Sequence, residues 1–482
     1  MTSTSILPRF RIWTQRFVHK RRQHPDLHSL SQHPDRLPRF VRDSPVAQRY
    51  LRLLGPLDWS HFPERDLETD WGTPAIPFAT FAAACLVKLD QNRVYMSSLR
   101  NYLADHPALA WALGFPITVN PRCANGTDMK ASLPTARHLT RMLRTIPNIC
   151  FQYLLDETVR LLISELRDVA PDFGHCISLD TKHIIAWVKE NNPKAYVKDR
   201  YDKDQQPSGD PDCRLGCKRK RNQRSRNESP QTPLTDPVSA STVKVGEYYW
   251  GYGSGVVATK VPGWGEFVLA ELTQPFNRGD TTYFFPLMAD VERRLGFRPP
   301  FGAFDAAYDA FYVYEHFHQA DGFAAVPFSV KAKVKRTFDP DGLPLCKAGL
   351  PMPLKSTFTS RTTSLIEHEK GTYVCPLCFP VPTTDACAID DPHWPKGGCK
   401  TTLATSIGAR IRHQLDRDSQ AYKEIYKQRT ATERINALAK ELGIERPKLR
   451  NGAAIANQNT LIYVLLNLRA LQRVRHHKAT QS

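Results

Sequence analysis

The chain has 482 residues, enough for a large core and two or three domains. Apolar residues make up an ordinary 41%, but Lys plus Arg outnumber Asp plus Glu by 66 to 48, a net charge of +18. That excess of base points to a polyanionic partner, foremost nucleic acid, with an unrelated basic enzyme as the alternative. No apolar run approaches the ~18 residues of a membrane span, and the N-terminus has no apolar signal-peptide core. A cytoplasmic protein is expected. Eleven cysteines without a secretory signal read as reduced thiols or a metal site rather than a disulfide framework.

In chain order, residues 1–48 are rich in Arg, His and Pro and weakly periodic, so a flexible basic arm is expected up to about residue 60. From 61 to 170 helical periodicity dominates, broken by Pro and Gly, which predicts an all-helical N-terminal domain. The texture changes at Pro171. The β-branched run 175–188 is a strand candidate, followed by a hydrophilic stretch from Lys189 to Lys244 expected as loop or disorder. Residues 251–261 and 266–274 predict two adjacent strands, and 281–295 a helix. PPFGAFDAAYDA (299–310) begins as a buried strand and continues as a helix, and 322–330 is a further strand.

From 331 to 405 the pattern breaks into Pro, Gly and alternating polar residues, with five of the eleven cysteines. A β-rich, irregular insertion is expected there. Helical periodicity returns from Ile411 to about Gly443 and again from Ala453 to the basic tail, completing the core over 406–475. Without the insertion the order is three strands, helix, strand, helix, strand, helix. That is an α/β unit with an antiparallel start and a parallel finish over 171–330, the order of a ribonuclease H-like mixed sheet flanked by helices.

Asp180 ends the apolar run Cys176-Ile177-Ser178-Leu179, and Asp305 ends Phe301-Gly302-Ala303-Phe304. Polar residues at the ends of central strands point into the cleft of an open α/β sheet. A carboxylate within such a run is costly to bury unpaired. Each aspartate also has a simpler reading as a helix N-cap or turn residue. Tyr426, Arg429, Glu433 and Lys440, spaced i, i+3, i+7, i+14, fall within roughly a 60° arc of a predicted helix. Ala431, Ile435, Leu438 and Leu442 lie roughly opposite. Alone this is a solvated face with an Arg429–Glu433 pair. With the two aspartates, Glu433 completes an oxygen set suited to Mg²⁺ or Mn²⁺, and two such ions can cleave a phosphodiester.

SLDTKHI around Asp180, GAFDAAYDA around Asp305 and YKQRTATERINALAK around Glu433 resemble the DDE triad of bacterial insertion-sequence transposases. Tyr426-x2-Arg429-x3-Glu433-x6-Lys440 is similar to the YREK signature of one branch, in which a β-rich insertion separates the second aspartate from the glutamate. Here 127 residues separate Asp305 from Glu433. The resemblance spans about residues 75–470. It implies that Asp180, Asp305 and Glu433 hold two Mg²⁺ or Mn²⁺ ions, nick DNA at transposon ends and drive attack of the freed 3′-hydroxyl on target DNA. It further implies that Tyr426, Arg429 and Lys440 grip DNA near the scissile phosphate. Its partners would be terminal inverted repeats and target DNA, with a homodimer in the synaptic complex and no membrane.

Lys218, Arg219, Lys220 and Arg221, with Arg224 and Arg226, form a basic run that either tracks a DNA backbone or is a solvated loop. Cys375-x2-Cys378, Cys387 and Cys399 are candidate ligands of a structural Zn²⁺, with His393 or Cys346 able to replace one, and Cys213-x3-Cys217 is a further half-site. Reduced cysteines in a loop-rich insertion are the alternative. Two rival functions stand beside the transposase: a domesticated DNA-binding protein that has lost the chemistry, and a zinc-ribbon regulatory DNA-binding protein.

Overall fold

The computed structural model describes residues 27–66, 75–123, 126–219, 246–329, 336–360, 365–389 and 394–481. Among the described residues every regular element before Cys176 is helical: α1 (Leu27–Gln32), α2 (Arg39–Arg42), α3 (Pro45–Leu54), α4 (Phe78–Asp90), α5 (Met96–Asp105), α6 (Pro107–Ala112), α7 (Met129–Ser132), α8 (Ala136–Thr145) and α9 (Asn148–Leu166). Their starts follow local chemistry. Pro45 and Pro107 occupy first helical turns, where a missing N–H costs nothing. Ser44, Asp128 and Thr135 accept from the N–H groups of Ala47, Ala131 and His138. Residues 27–54, expected as part of a flexible arm, are instead helical and packed. Their basic surface hides a sparse apolar stripe in which Leu27, Val41, Tyr50, Leu51 and Leu54 are buried.

The strands form a mixed sheet. Its members are β1 (Cys176–Ile185), β2 (Arg214–Arg219), β3 (Gly246–Val261), β4 (Gly265–Pro275), β5 (Phe301–Ala303) and β6 (Phe323–Ala325). β3 pairs antiparallel with β1 on one edge and with β2 and then β4 on the other. β5 and β6 extend the sheet in parallel beyond β1. α10 (Phe284–Leu295) leads from β4 to β5, and α11 (Phe311–His318) from β5 to β6. The chain is thus mixed α/β. β2 lies within the stretch expected to be loop. It pairs with β3 from Arg214 to Arg219, and at Gly216 the Phe276 ring occupies the space a Cβ would need.

A separate antiparallel sheet of β7 (Leu354–Ser360), β8 (His368–Val374) and β9 (Lys400–Ala404) occupies the expected insertion. The helical run expected from Ile411 to Gly443 is broken into α12 (Ile407–Gln414), α13 (Gln420–Lys427) and α14 (Thr430–Glu441). An Asp416–Ser419 turn makes the first break, and Ser419 caps α13 by accepting from Tyr422 N–H.

α15 (Gly452–Gln481) runs 30 residues, about 45 Å, and its apolar side chains join both hydrophobic cores. No helix of the described residues is long and apolar enough to cross a membrane. Buried amides tie α15 to its neighbours. Asn457 donates to the carbonyls of Leu143 and Ile146 at the end of α8. Asn467 donates to Val268 O and Thr158 Oγ1 while accepting from Val268 N–H.

Candidate active site and its basic approach

Asp180 lies within β1, not at its end, because β1 continues to Ile185 against β3. Parallel pairing with β5 stops earlier, at Ser178↔Ala303. Two residues further along each strand come Asp180 and Asp305, so the two carboxylates emerge side by side where the parallel edge opens. Asp305 also caps a short 3₁₀ turn, its Oδ1 accepting from Ala307 N–H at 2.8 Å. The turn reading therefore holds at this residue, which also stands two positions beyond the β1–β5 pairing. A third acid, Asp280, enters from the 3₁₀ turn that precedes α10.

These groups lie within electrostatic reach of one another. Burial pushes the Asp180 carboxyl up to about 6; the Thr181 N–H opposes this, the charge of Asp305 adds to it, Arg429 lowers it, and Asp280 raises it again. Asp280 is also shifted upward, by burial and then by Asp305. The buried Tyr308 hydroxyl stands beside all three acids.

α14 packs across β1, β3 and β4, and α13 against β5 and β6. Asn436 donates from Nδ2 to Asp180 Oδ2 at 3.0 Å, while its own Oδ1 is buried without a partner. Glu433, one turn earlier, is exposed and paired with Arg429. Arg429 lies 6.0 Å from the Tyr426 ring centroid, and Tyr426 stacks on Tyr422 at 5.9 Å. Tyr426 belongs to α13, and the helix tightens between Lys427 and Thr430, so the stripe is carried by two helices. Of the apolar residues expected opposite it, Ala431, Ile435 and Leu442 are buried, but Leu438 is 37% exposed. Lys440 reaches Glu445 at 3.4 Å, and Glu445 also binds Lys182 at 2.6 Å. Burial raises the Glu445 carboxyl, but the hydrogen bond and charge of Lys182, with Lys440 behind them, outweigh that and lower it.

The structure therefore brings Asp180, Asp305 and Arg429 together, adds Asp280 and Asn436, and leaves Glu433 on its cation. Among the described residues no three His, Cys, Asp or Glu side chains are spaced to hold a metal ion as they stand. Two features still suit a divalent cation: the upward-shifted carboxyls of Asp180 and Asp280, raised by burial and then by the charge of Asp305, and the unpartnered amide oxygen of Asn436 beside Asp180.

A basic groove of about 800 Å³ lies further along the line of β1. Arg137, Arg141 and Arg144 project from the solvent side of α8, whose Leu139, Met142 and Leu143 are buried. Trp187, two residues past β1, forms part of its wall, with Arg450 4.9 Å and Lys448 5.5 Å from its ring centroid. Trp187 follows Asp180 by seven residues, about 23 Å of extended chain. Of the basic run, Lys218 and Arg219 end β2 opposite Glu247 and Gly246. Lys220, Arg221, Arg224 and Arg226 lie outside the described residues, as does His393.

No protein-family model matches the chain, and neither a curated protein nor a solved structure matches it.

Proposed function

We propose that the chain is a DDE-type transposase that cleaves DNA at transposon ends and joins the freed 3′-hydroxyl to target DNA. The observation that carries this reading is the pairing of Asp180 with Asp305 at the opening of the parallel edge, under a helix bearing Glu433. The antiparallel array of β1, β3 and β4, joined in parallel by β5 and β6, supports a ribonuclease H-like core, to which β2 is an addition on β3.

In this reading Asp180, Asp305 and Glu433 hold Mg²⁺ or Mn²⁺, which when bound supplies an activated nucleophile and stabilises the leaving oxygen. The protein's own part is to hold the acids close. Asn436 orients Asp180, and the Arg429 pair keeps Glu433 in reach of the site. Arg429 and Lys440 are placed to neutralise phosphates, and Tyr426 to stack or donate a hydrogen bond. Duplex entering over α14 would continue into the Arg137–Arg450 groove, where five cations and Trp187 supply sequence-independent grip. A homodimer would synapse two transposon ends.

The test is nicking and strand transfer of a terminal-repeat duplex with Mg²⁺, comparing wild type with Glu433→Gln. Loss of both products in the variant supports the reading. Equal products in both proteins overturn it. Binding without cleavage by the wild type would favour the domesticated DNA-binding protein.

A further inference from the structure

The insertion is a sheet without a core. β7 is exposed along nearly its whole length, and neither β8 nor β9 buries an apolar side chain. Among the described residues of 336–405 the only buried hydrophobic side chains are Met352 and Cys375. So small a unit cannot be stabilised by apolar burial and calls for a staple.

The backbone supplies a place for one. Val374 at the end of β8 pairs with Lys400 at the start of β9. The next residue on one strand is Cys375 and the preceding residue on the other is Cys399, so these two stand across from each other in antiparallel register. Cys375 opens a tight turn in which Cys378 N–H donates to Cys375 O. The loop before Cys399 folds back through Gly397 and Gly398, both at positive φ. A Cβ on Gly398 would lie 3.1 Å from Cys375 Sγ and 3.2 Å from Cys378 Sγ, so two sulfurs converge on one point. From the other side, Leu345 pairs with Pro351 and Cys346 N–H donates to Leu350 O, presenting Cys346 on a third loop. The Cys399 thiol faces those of Cys375 and Cys346, and Cys387 neighbours Cys378.

We infer that these loops form a structural zinc site with Cys346, Cys375 and Cys399 as three ligands and a fourth thiolate from the adjoining Cys378–Cys387 pair. Of the sequence candidates Cys375, Cys378, Cys387 and Cys399, with Cys346 or His393 as a replacement, the set takes up Cys346, because the hairpin at 345–351 brings it in from 29 residues upstream of Cys375. The thiols are not at coordination spacing as they stand. Closing them asks for side-chain rotation rather than a new backbone path, since register and turns already align the three loops. Zinc would replace the missing core, as tetrahedral thiolate sites do in small domains. It is independent of the carboxylate site.

The experiment is metal analysis of the full-length protein purified under reducing conditions, with Co²⁺ titration of the demetallated chain. One zinc per chain and a Co²⁺ spectrum of tetrahedral thiolate ligation are expected. Cys346→Ser, Cys375→Ser and Cys399→Ser should each lose the metal and become protease-sensitive within 336–405. Cys213→Ser and Asp180→Asn should keep it. A wild-type chain that takes up neither metal overturns the proposal even if every variant misfolds. So does full zinc occupancy in a soluble Cys346→Ser variant. Neither result bears on DNA cleavage.

Discussion

Asp180→Asn should stabilise the protein while abolishing its chemistry. Burial and the charge of Asp305 lift the Asp180 carboxyl from 3.8 to about 6 in the folded state. The native state then binds the proton more tightly than the unfolded chain. This unfavourable contribution is absent below the unfolded value, grows between 3.8 and about 6, and is complete above it. Roughly two units correspond to about 3 kcal/mol at most, and partial exposure of the side chain reduces this to about 1–3 kcal/mol. Asparagine keeps the shape and an acceptor for the Asn436 amide, so its gain should be a rise of a few degrees in melting temperature near pH 7.5 and only about a third of that near pH 4.5. Added Mg²⁺ should raise the wild-type transition but not that of the variant, because only a binding site transmits ligand to stability. The assay is thermal melting at both pH values with and without Mg²⁺. A variant no more stable than wild type at neutral pH, or equally responsive to Mg²⁺, would refute the account of this carboxylate.

Three other outcomes follow from the same structure. Asn436→Ala removes a hydrogen bond to a charged group, about 1.5–3 kcal/mol, so cleavage should fall at least tenfold, and the acidic limb of its pH profile should move upward as the Asp180 anion loses a donor. Replacing Arg137, Arg141 and Arg144 together with Ala should weaken duplex binding uniformly across sequences. It should also lower the slope of log K against log salt by up to about three units in a fluorescence-anisotropy titration, while folding is unchanged because all three are exposed. Asn467→Ala should cost about 2–4 kcal/mol in a denaturant titration, since it strands the backbone N–H and C=O of Val268 inside the core.

Asp180 and Asp305 were legible because a charged residue closing an apolar run is locally conspicuous, and the register of β1 on β5 places them together. Asp280 was not. It sits in a polar turn with no periodic neighbours and reaches the site only through the packing of that turn against the one after Asp305. Asn436 was within reach of helical geometry, being one turn beyond Glu433, but an amide draws attention only once its partner is known. The stripe from Tyr426 to Lys440 had the right facing, yet local hydrogen bonding tightens the chain at Gln428 and Arg429 and divides it between two helices. The basic groove shows the limit most plainly. Three arginines at i, i+4 and i+7 are visible on α8, but Trp187, Lys448 and Arg450 arrive from about 40 and 300 residues away, by tertiary packing alone. Cys346 was offered by the sequence only as a replacement ligand, because the hairpin that brings it to Cys399 is likewise a matter of tertiary packing.

The most direct test of the central claim is Mg²⁺- and Mn²⁺-dependent cleavage of a terminal-repeat duplex by wild type, Glu433→Gln and Glu433→Cys. If Glu433 leaves Arg429 to complete the ligand set, wild type cuts with either ion, Gln with neither, and the softer thiolate selectively with Mn²⁺. Cleavage by Glu433→Gln at the wild-type rate with Mg²⁺ would contradict the account.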